Sequence, residues 1–236
     1  MGTLYLVPVP IGNYEDITLR ALSVLKAADR IVCEEYKEAV RLLAHYEIKK
    51  ELLSINEHNE REETPHLITL LREGKNIALI SDCGTPLFSD PGHHLLSQAL
   101  AAGIQITALP GASSLMPALS ASGLHAEKFY YFGWLSPKKE IRKNELLRLK
   151  KIREVIVLLD TPYRLQSLLR DCSEVFGGEI SGVLAYEISK QGERYIRMPL
   201  KEMTASAQRD ALKGEFVLLI DNRRIQREEY EISKGR

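Results

Sequence analysis

Short apolar runs rich in β-branched and aromatic residues alternate with segments of helical periodicity along most of this 236-residue chain, and that alternation constrains the fold more than any other feature. In the first half, strands are expected at residues 4–7, 31–33, 52–55, 77–81 and 104–109, largely parallel because helical patterns separate them. Residues 16–28 carry apolar side chains at 17, 21, 24, 25 and 28. Thr64-Pro65, followed by Leu67, Leu70, Leu71 and then Gly74, gives an N-cap, a Pro at the first helical position and a closing Gly. Residues 91–102, closed by Gly103, form a third expected helix. The second half reads as strands at 129–134, 155–159, 182–186, 195–198 and 216–220, with helices at 139–152 and 163–175. Residues 110–123 are turn-rich but too apolar for a flexible linker, so the expectation is two tightly joined α/β domains, residues 1–117 and 118–236. The charged stretch 223–236 is expected to fray.

Composition narrows the function classes. Lys plus Arg and Asp plus Glu both number 32, so there is no global electrostatic pull toward nucleic acid or an anionic membrane, and a polyanion must be met by a local patch. Cys33, Cys83 and Cys172 contain no CxxC and no nearby His pair, which argues against a disulfide framework and structural zinc. The opening residues lack a basic segment and are interrupted by Pro8 and Pro10, and no apolar run is long enough to span a bilayer. A cytoplasmic protein without a membrane anchor is expected.

Chemistry is expected in the loops that leave the carboxyl ends of the strands, where open α/β sheets collect ligands. Three are rich in Gly and Pro: Pro8-Val9-Pro10-Ile11-Gly12-Asn13, the stretch from Ser81 through Asp82, Cys83, Gly84, Thr85 and Phe88 to Gly92, and Pro110-Gly111-Ala112-Ser113-Ser114. None is GxGxxG or GxxxxGK[ST], so the mechanical parts for a dinucleotide or a P-loop phosphate are missing. The middle loop places two carboxylates, two hydroxyls and a Gly-Thr-Pro turn after an apolar strand. It suits an uncharged or cationic small molecule better than a phosphate; equally, its Asp and Ser side chains are of the kind that only cap backbone. Ser113 shares that ambiguity as a helix N-cap.

These loops, in this order and spacing, resemble those of the tetrapyrrole methylase superfamily, the class III S-adenosylmethionine-dependent methyltransferases. The resemblance is narrower to the branch that methylates a cytidine ribose 2′-hydroxyl in small-subunit ribosomal RNA. Further matching segments are Asp16-Ile17-Thr18-Leu19-Arg20, Glu57-His58-Asn59-Glu60, Ser120-Ala121-Ser122-Gly123, Thr161-Pro162-Tyr163-Arg164-Leu165, Glu187-Ile188-Ser189-Lys190 and Gly214-Glu215-Phe216. The resemblance implies two α/β domains with the cofactor in a cleft between them, usually as a homodimer. It places S-adenosylmethionine against Pro10, Ile11, Asp82, Gly84, Thr85, Phe88, Ser113 and Ser114, with Leu159, Tyr186 and Gly214 added from the second domain. Where the branch reads Cys-Glu-Asp-Thr-Arg, this chain reads Cys33-Glu34-Glu35-Tyr36-Lys37, a departure that bears on the acceptor.

Methyl transfer from a sulfonium needs no metal, but a protonated ribose hydroxyl is a poor nucleophile, and a side chain that takes its proton helps. His58 and Glu34 are the candidates; His58 reads equally as a surface residue beside Glu62. Asn13, Arg20, Asn59 and Arg61 are candidates for holding the acceptor, with Asn13 and Arg20 reading equally as braces of the first loop. Residues 138–153, beginning Lys138-Lys139, hold a local excess of six positive charges and read as either a phosphate track or a solvated helix face. The leading expectation is therefore ribose methylation of ribosomal RNA in the small subunit. A tetrapyrrole or protein acceptor, and a non-catalytic RNA-binding module on the same fold, are the alternatives.

Overall fold

The computed structural model describes residues 1–88 and 90–223, which divide into two compact units, Met1–Ser114 and Leu115–Arg236. The charged stretch expected to fray lies, from residue 224 on, outside the described residues.

The N-terminal unit runs β1 (Thr3–Val7), α1 (Leu19–Ala27), β2 (Arg30–Cys33), α2 (Tyr36–His45), β3 (Leu52–Ser54), α3 (Glu60–Arg72), β4 (Ile77–Ile80), α4 (His93–Ala101) and β5 (Gln105–Ala108). Its five strands are all parallel, in the order β3-β2-β4-β1-β5. Every residue of β4 is buried because helices cover both faces of the sheet. Ala78 and Ile80 pack into the core that holds Ala21 and Leu25 of α1 and Leu42 and Leu43 of α2. Ile77 and Leu79 point the other way, toward Leu67 and Leu71 of α3 and Leu95 of α4.

The C-terminal unit runs α5 (Leu115–Ser120), β6 (Phe129–Trp134), α6 (Lys139–Leu149), β7 (Val155–Asp160), α7 (Leu165–Phe176), β8 (Ser181–Tyr186), β9 (Arg194–Pro199), α8 (Leu200–Arg209) and β10 (Phe216–Asp221). Its sheet is mixed, in the order β6-β7-β10-β8-β9, with only the β6–β7 pair parallel. The core lies on the face of Ile156, Leu158, Leu184, Leu218 and Ile220, against the α7 stripe Leu165, Leu168, Leu169, Cys172, Val175 and Phe176. Among the described residues no helix is long and apolar enough to cross a membrane.

Three expectations need correcting. α3 starts at Glu60 with Asn59 as its N-cap residue, not at Thr64, and Pro65 sits inside the helix. The upstream turn exists because Asn56 and Asn59 exchange side-chain and backbone hydrogen bonds, while Thr64 Oγ1 donates to the Glu60 carbonyl at 2.6 Å. α4 starts at His93, beyond Pro91, and its first amides are capped from another helix: Glu60 Oε1 accepts from the N–H groups of His94 and Leu95 at 2.7 and 3.0 Å. Helices α2, α5 and α8 lie where the apolar pattern assigned none.

The basic stretch is also only partly a solvated face. Arg142 is buried on α6, paired with Asp171 of α7 at 2.6 Å, and donates to the carbonyls of Ser136 and Pro137. Lys150 Nζ donates to the Val175 carbonyl at 2.7 Å. Asp171→Ala leaves that guanidinium buried without its carboxylate, and the expected loss of stability is about 3 kcal/mol, read as a lower urea midpoint. The double substitution Arg142→Met/Asp171→Leu is expected to recover most of it, and no recovery would mean that packing, not the stranded charge, accounts for the loss.

Candidate active site

β4, β1 and β5 are neighbours in the sheet, so the loops leaving their carboxyl ends emerge side by side. All three converge on Gly84. Val9 and Gly84 form an antiparallel bridge with N–H···O distances of 2.9 and 3.1 Å, joining the first loop to the second. Ser81 Oγ, buried, donates to the Gly84 carbonyl at 3.1 Å and closes the turn. Thr85 Oγ1 donates to the Ala112 carbonyl at 3.2 Å, joining the second loop to the third. Gly84 has φ of +81°, and a Cβ there would meet Ile11 Cγ2 at 3.3 Å and the Ala112 carbonyl at 3.6 Å. Gly111 closes the remaining side: a Cβ on it would lie 2.5 Å from Pro8 Cβ.

The segment that follows β2 joins this cluster, because β2 is the other neighbour of β4. Asp82 Oδ1 accepts from the Glu35 N–H at 3.0 Å, and Ser54 Oγ donates to the Glu34 carbonyl at 2.9 Å. Glu34, Asp82 and Asp90 thus gather at one end of the sheet. Burial, and then mutual repulsion, pushes the Glu34 carboxyl above its usual range; burial does the same to Asp82 and Asp90. Cys33, behind them, is raised to about 11, first by burial and then by Asp82. Carboxylates held this way are short of positive charge, so the cluster favours a cation. Sulfonium and ammonium groups, both carried by S-adenosylmethionine, meet that demand; this is the fit of the loops to that molecule.

Pro10, Ile11, Ser113 and Ser114 are half-buried in their loops, and Phe88 is exposed. Asn13 Oδ1 accepts from the Glu15 N–H at 3.0 Å and so braces the first loop. Asn59 uses both ends of its carboxamide, accepting from the Asn56 N–H at 2.7 Å and donating to the Ser54 carbonyl at 3.1 Å. Arg20 and Arg61 are exposed. His58 is exposed too, its Nε2 lying 3.4 Å from Glu57 Oε1. Ser81, Asp90 and Gly111 lie in the expected loops, but no contact was expected of them individually; Ser81 and Gly111 close the packing around Gly84.

In the C-terminal unit, Leu159, Tyr186 and Gly214 come to one end of the sheet, because β10 starts where β7 and β8 finish. The Tyr186 hydroxyl accepts from the N–H groups of Gly214 and Lys213 at 2.6 and 3.2 Å, and Arg194 lies over its ring at 5.0 Å. Glu187 Oε1 accepts from the Glu215 N–H at 2.6 Å. A Cβ on Gly214 would lie 2.6 Å from Tyr186 Cζ, so this loop has no room for any other residue. Leu159 is half-buried, and Lys138 and Lys139 are exposed at the start of α6.

Comparison with known proteins follows the same lines. The model for the tetrapyrrole (corrin/porphyrin) methylases matches residues 3–204. This chain belongs to the tetrapyrrole methylase family. Among curated relatives, a protein of Vibrio cholerae serotype O1 named ribosomal RNA small subunit methyltransferase I is 42% identical over 219 residues, covering 92% of this chain and 76% of that one. Among solved structures, the uroporphyrin-III-C-methyltransferase of Thermus thermophilus is 25% identical with a TM-score of 0.65, covering 94% of this chain and 95% of its own. A T. thermophilus uroporphyrin-III C-methyl transferase complexed with S-adenyl homocysteine shares the fold at 18% identity and a TM-score of 0.63, covering 93% of this chain and 97% of its own. The two-sheet α/β architecture described above is thus the tetrapyrrole methylase architecture.

Proposed function

We propose that this tetrapyrrole methylase transfers a methyl group from S-adenosylmethionine to the ribose 2′-hydroxyl of a cytidine in small-subunit ribosomal RNA. The chain is a methyltransferase by its family and by its relatives' activity, and S-adenosylmethionine is its methyl donor. The observation that carries the acceptor is the 42% identity, across 92% of the chain, to a ribosomal RNA small subunit methyltransferase. A cytoplasmic location and a homodimer go with this reading.

S-adenosylmethionine supplies an electrophilic methyl group on a sulfonium. In the N-terminal unit, Pro10, Ile11, Gly84, Thr85, Phe88, Ser113 and Ser114 are proposed to bind it, with Asp82 facing its positive charge. The interlock at Gly84 holds the three loops in place before binding, so little ordering remains to be done when the ligand arrives. Leu159, Tyr186 and Gly214 are the C-terminal unit's proposed share of the contacts; there the Tyr186 hydroxyl fixes the Gly214 backbone.

Glu34 is favoured over His58 as acceptor of the ribose hydroxyl proton. It is half-buried beside Asp82 and Asp90, and its raised carboxyl is a stronger base than an ordinary Glu, whereas His58 stands in solvent against Glu57. Arg20, Arg61, Lys138 and Lys139, all exposed, are proposed to meet RNA phosphates, while Asn13 and Asn59 position the loops.

The test is incubation of the protein with methyl-tritiated S-adenosylmethionine and small ribosomal subunits that lack the modification, followed by nuclease digestion. Label in 2′-O-methylcytidine is the expected result. Label on a base or on protein, or transfer only to a tetrapyrrole, would overturn the acceptor assignment.

A further inference from the structure

α2 carries two apolar stripes. Ala39, Leu42 and Leu43 face the core, as an amphipathic helix requires. Tyr36, Val40 and Ala44 form the other, at helical spacing, and with Leu43 and Glu47 they line one side of an open groove of about 810 Å³. Tyr36 and Val40 are 54% and 45% exposed although both are large and hydrophobic. The opposite wall is Ile48, Lys49, Lys50 and Leu52, where the chain turns from the helix into β3, the edge strand of the sheet. That wall is fixed in place. Glu47 is held at φ of +55°, the left-handed position that closes a helix, and Ile48 N–H donates back to the Leu43 carbonyl at 2.9 Å.

The groove combines an exposed aromatic ring, an apolar floor and two ammonium groups against the one carboxylate of Glu47. Lys37, exposed, follows Tyr36 directly. Glu38 and Glu51 beside the groove are paired with Arg41 and Arg30, so Lys37, Lys49 and Lys50 face only Glu47 there, and an aromatic platform beside lysines is what a single nucleic-acid strand requires: faces for its bases, cations for its phosphates. The Tyr36 end of the groove is the start of α2, directly after the β2–α2 connection that holds Glu34, the proposed proton acceptor.

We propose that the groove between α2 and the β3 edge is the subsite for nucleotides flanking the methylated one, with Tyr36 stacking on a base and Lys49 and Lys50 meeting phosphates. It rests on the RNA reading of the preceding section and adds the path of the strand.

The test compares wild type, Tyr36→Ala, Tyr36→Phe and Lys49→Gln/Lys50→Gln in filter binding to small ribosomal subunits over a salt series. Melting temperatures and calorimetry with S-adenosylmethionine accompany each. Tyr36→Ala is expected to weaken subunit binding about tenfold, with Tyr36→Phe close to wild type because stacking needs only the ring. The lysine pair is expected to reduce the salt dependence by roughly 1.4 in log–log slope, about 0.7 per phosphate contact in a single strand. A charge-matched control, Lys26→Gln/Arg72→Gln, on α1 and α3, is expected to leave that slope unchanged. Cofactor affinity and melting temperature should not move in any variant.

Wild-type transfer to cytidine together with unchanged subunit binding in all groove variants would overturn this inference and leave the function standing. It would mark the lysines as guards of an exposed sheet edge instead. Failure of wild-type transfer would remove the function and this inference with it. Loss of a dimer in Tyr36→Ala by sedimentation, with subunit binding intact, would assign the groove to a second copy of the chain and also overturn the proposal.

Discussion

Gly84→Val is expected to lower affinity for S-adenosylmethionine at least 100-fold, about 2.7 kcal/mol in binding free energy, and to abolish methyl transfer with it. At φ of +81° a β-branched residue is sterically excluded, and even an unbranched Cβ in the left-handed region costs roughly 1–2 kcal/mol. The backbone therefore has to move. Moving it breaks the Val9–Gly84 bridge and drives the side chain into Ile11 and the Ala112 carbonyl, so all three loops lose their register together. Gly74→Val is the control: Gly74 has φ of +91° but nothing within 4 Å of its Cβ position, so it carries the backbone strain without touching the loops. Calorimetry on both variants separates the effects. Wild-type-like binding by Gly84→Val would show that the interlocked loops do not hold the cofactor.

Glu34→Gln is expected to reduce kcat about 100-fold, the low end of what general base catalysis contributes, while His58→Ala stays within about threefold of wild type. The pH dependence distinguishes a proton acceptor from a merely structural residue. Wild-type kcat/KM should rise along a limb whose apparent pKa lies above that of an ordinary Glu, in the direction that burial and the neighbouring carboxylates shift it. Glu34→Gln should lose that limb. Stability moves the opposite way. A carboxyl raised in the folded state binds its proton more tightly there than in the unfolded chain, so the stability it contributes at low pH is lost as pH rises through the raised value. Glu34→Gln should therefore be more stable than wild type at neutral pH without ligand, with the gap closing toward acid. A large loss of kcat in His58→Ala with little in Glu34→Gln would transfer the role to the histidine.

Much of the site was legible because it is built from loops that announce themselves. Gly84, Thr85, Gly111 and the Ser81–Asp90 stretch carry residues whose backbone needs or hydrogen-bonding habits are local. The groove on α2 was not legible, because Tyr36 and Val40 are apolar at helical spacing and nothing in a periodic pattern tells an inward stripe from an outward one. Arg142 shows the reverse failure. It sits among seven other cations in a stretch that reads as solvated, and only Asp171, 29 residues away on α7, makes it a buried anchor. The start of α4 belongs with it, since its cap is Glu60 on another helix.

The sequence by itself determined the α/β class, the strand positions to within a residue or two and the three loops, because apolar periodicity and Gly/Pro punctuation are set by neighbours along the chain. Only the tertiary structure decided which strands lie side by side, and hence that the loops after β1, β4 and β5 interlock at Gly84. It alone placed Asp82 and Asp90 near enough to Glu34 to raise its proton affinity, and Asp82 near enough to do the same to Asp90. The reason is physical: strand order, burial and Coulomb repulsion depend on distances through space, and residues 34, 82 and 90 have none in common until the sheet forms.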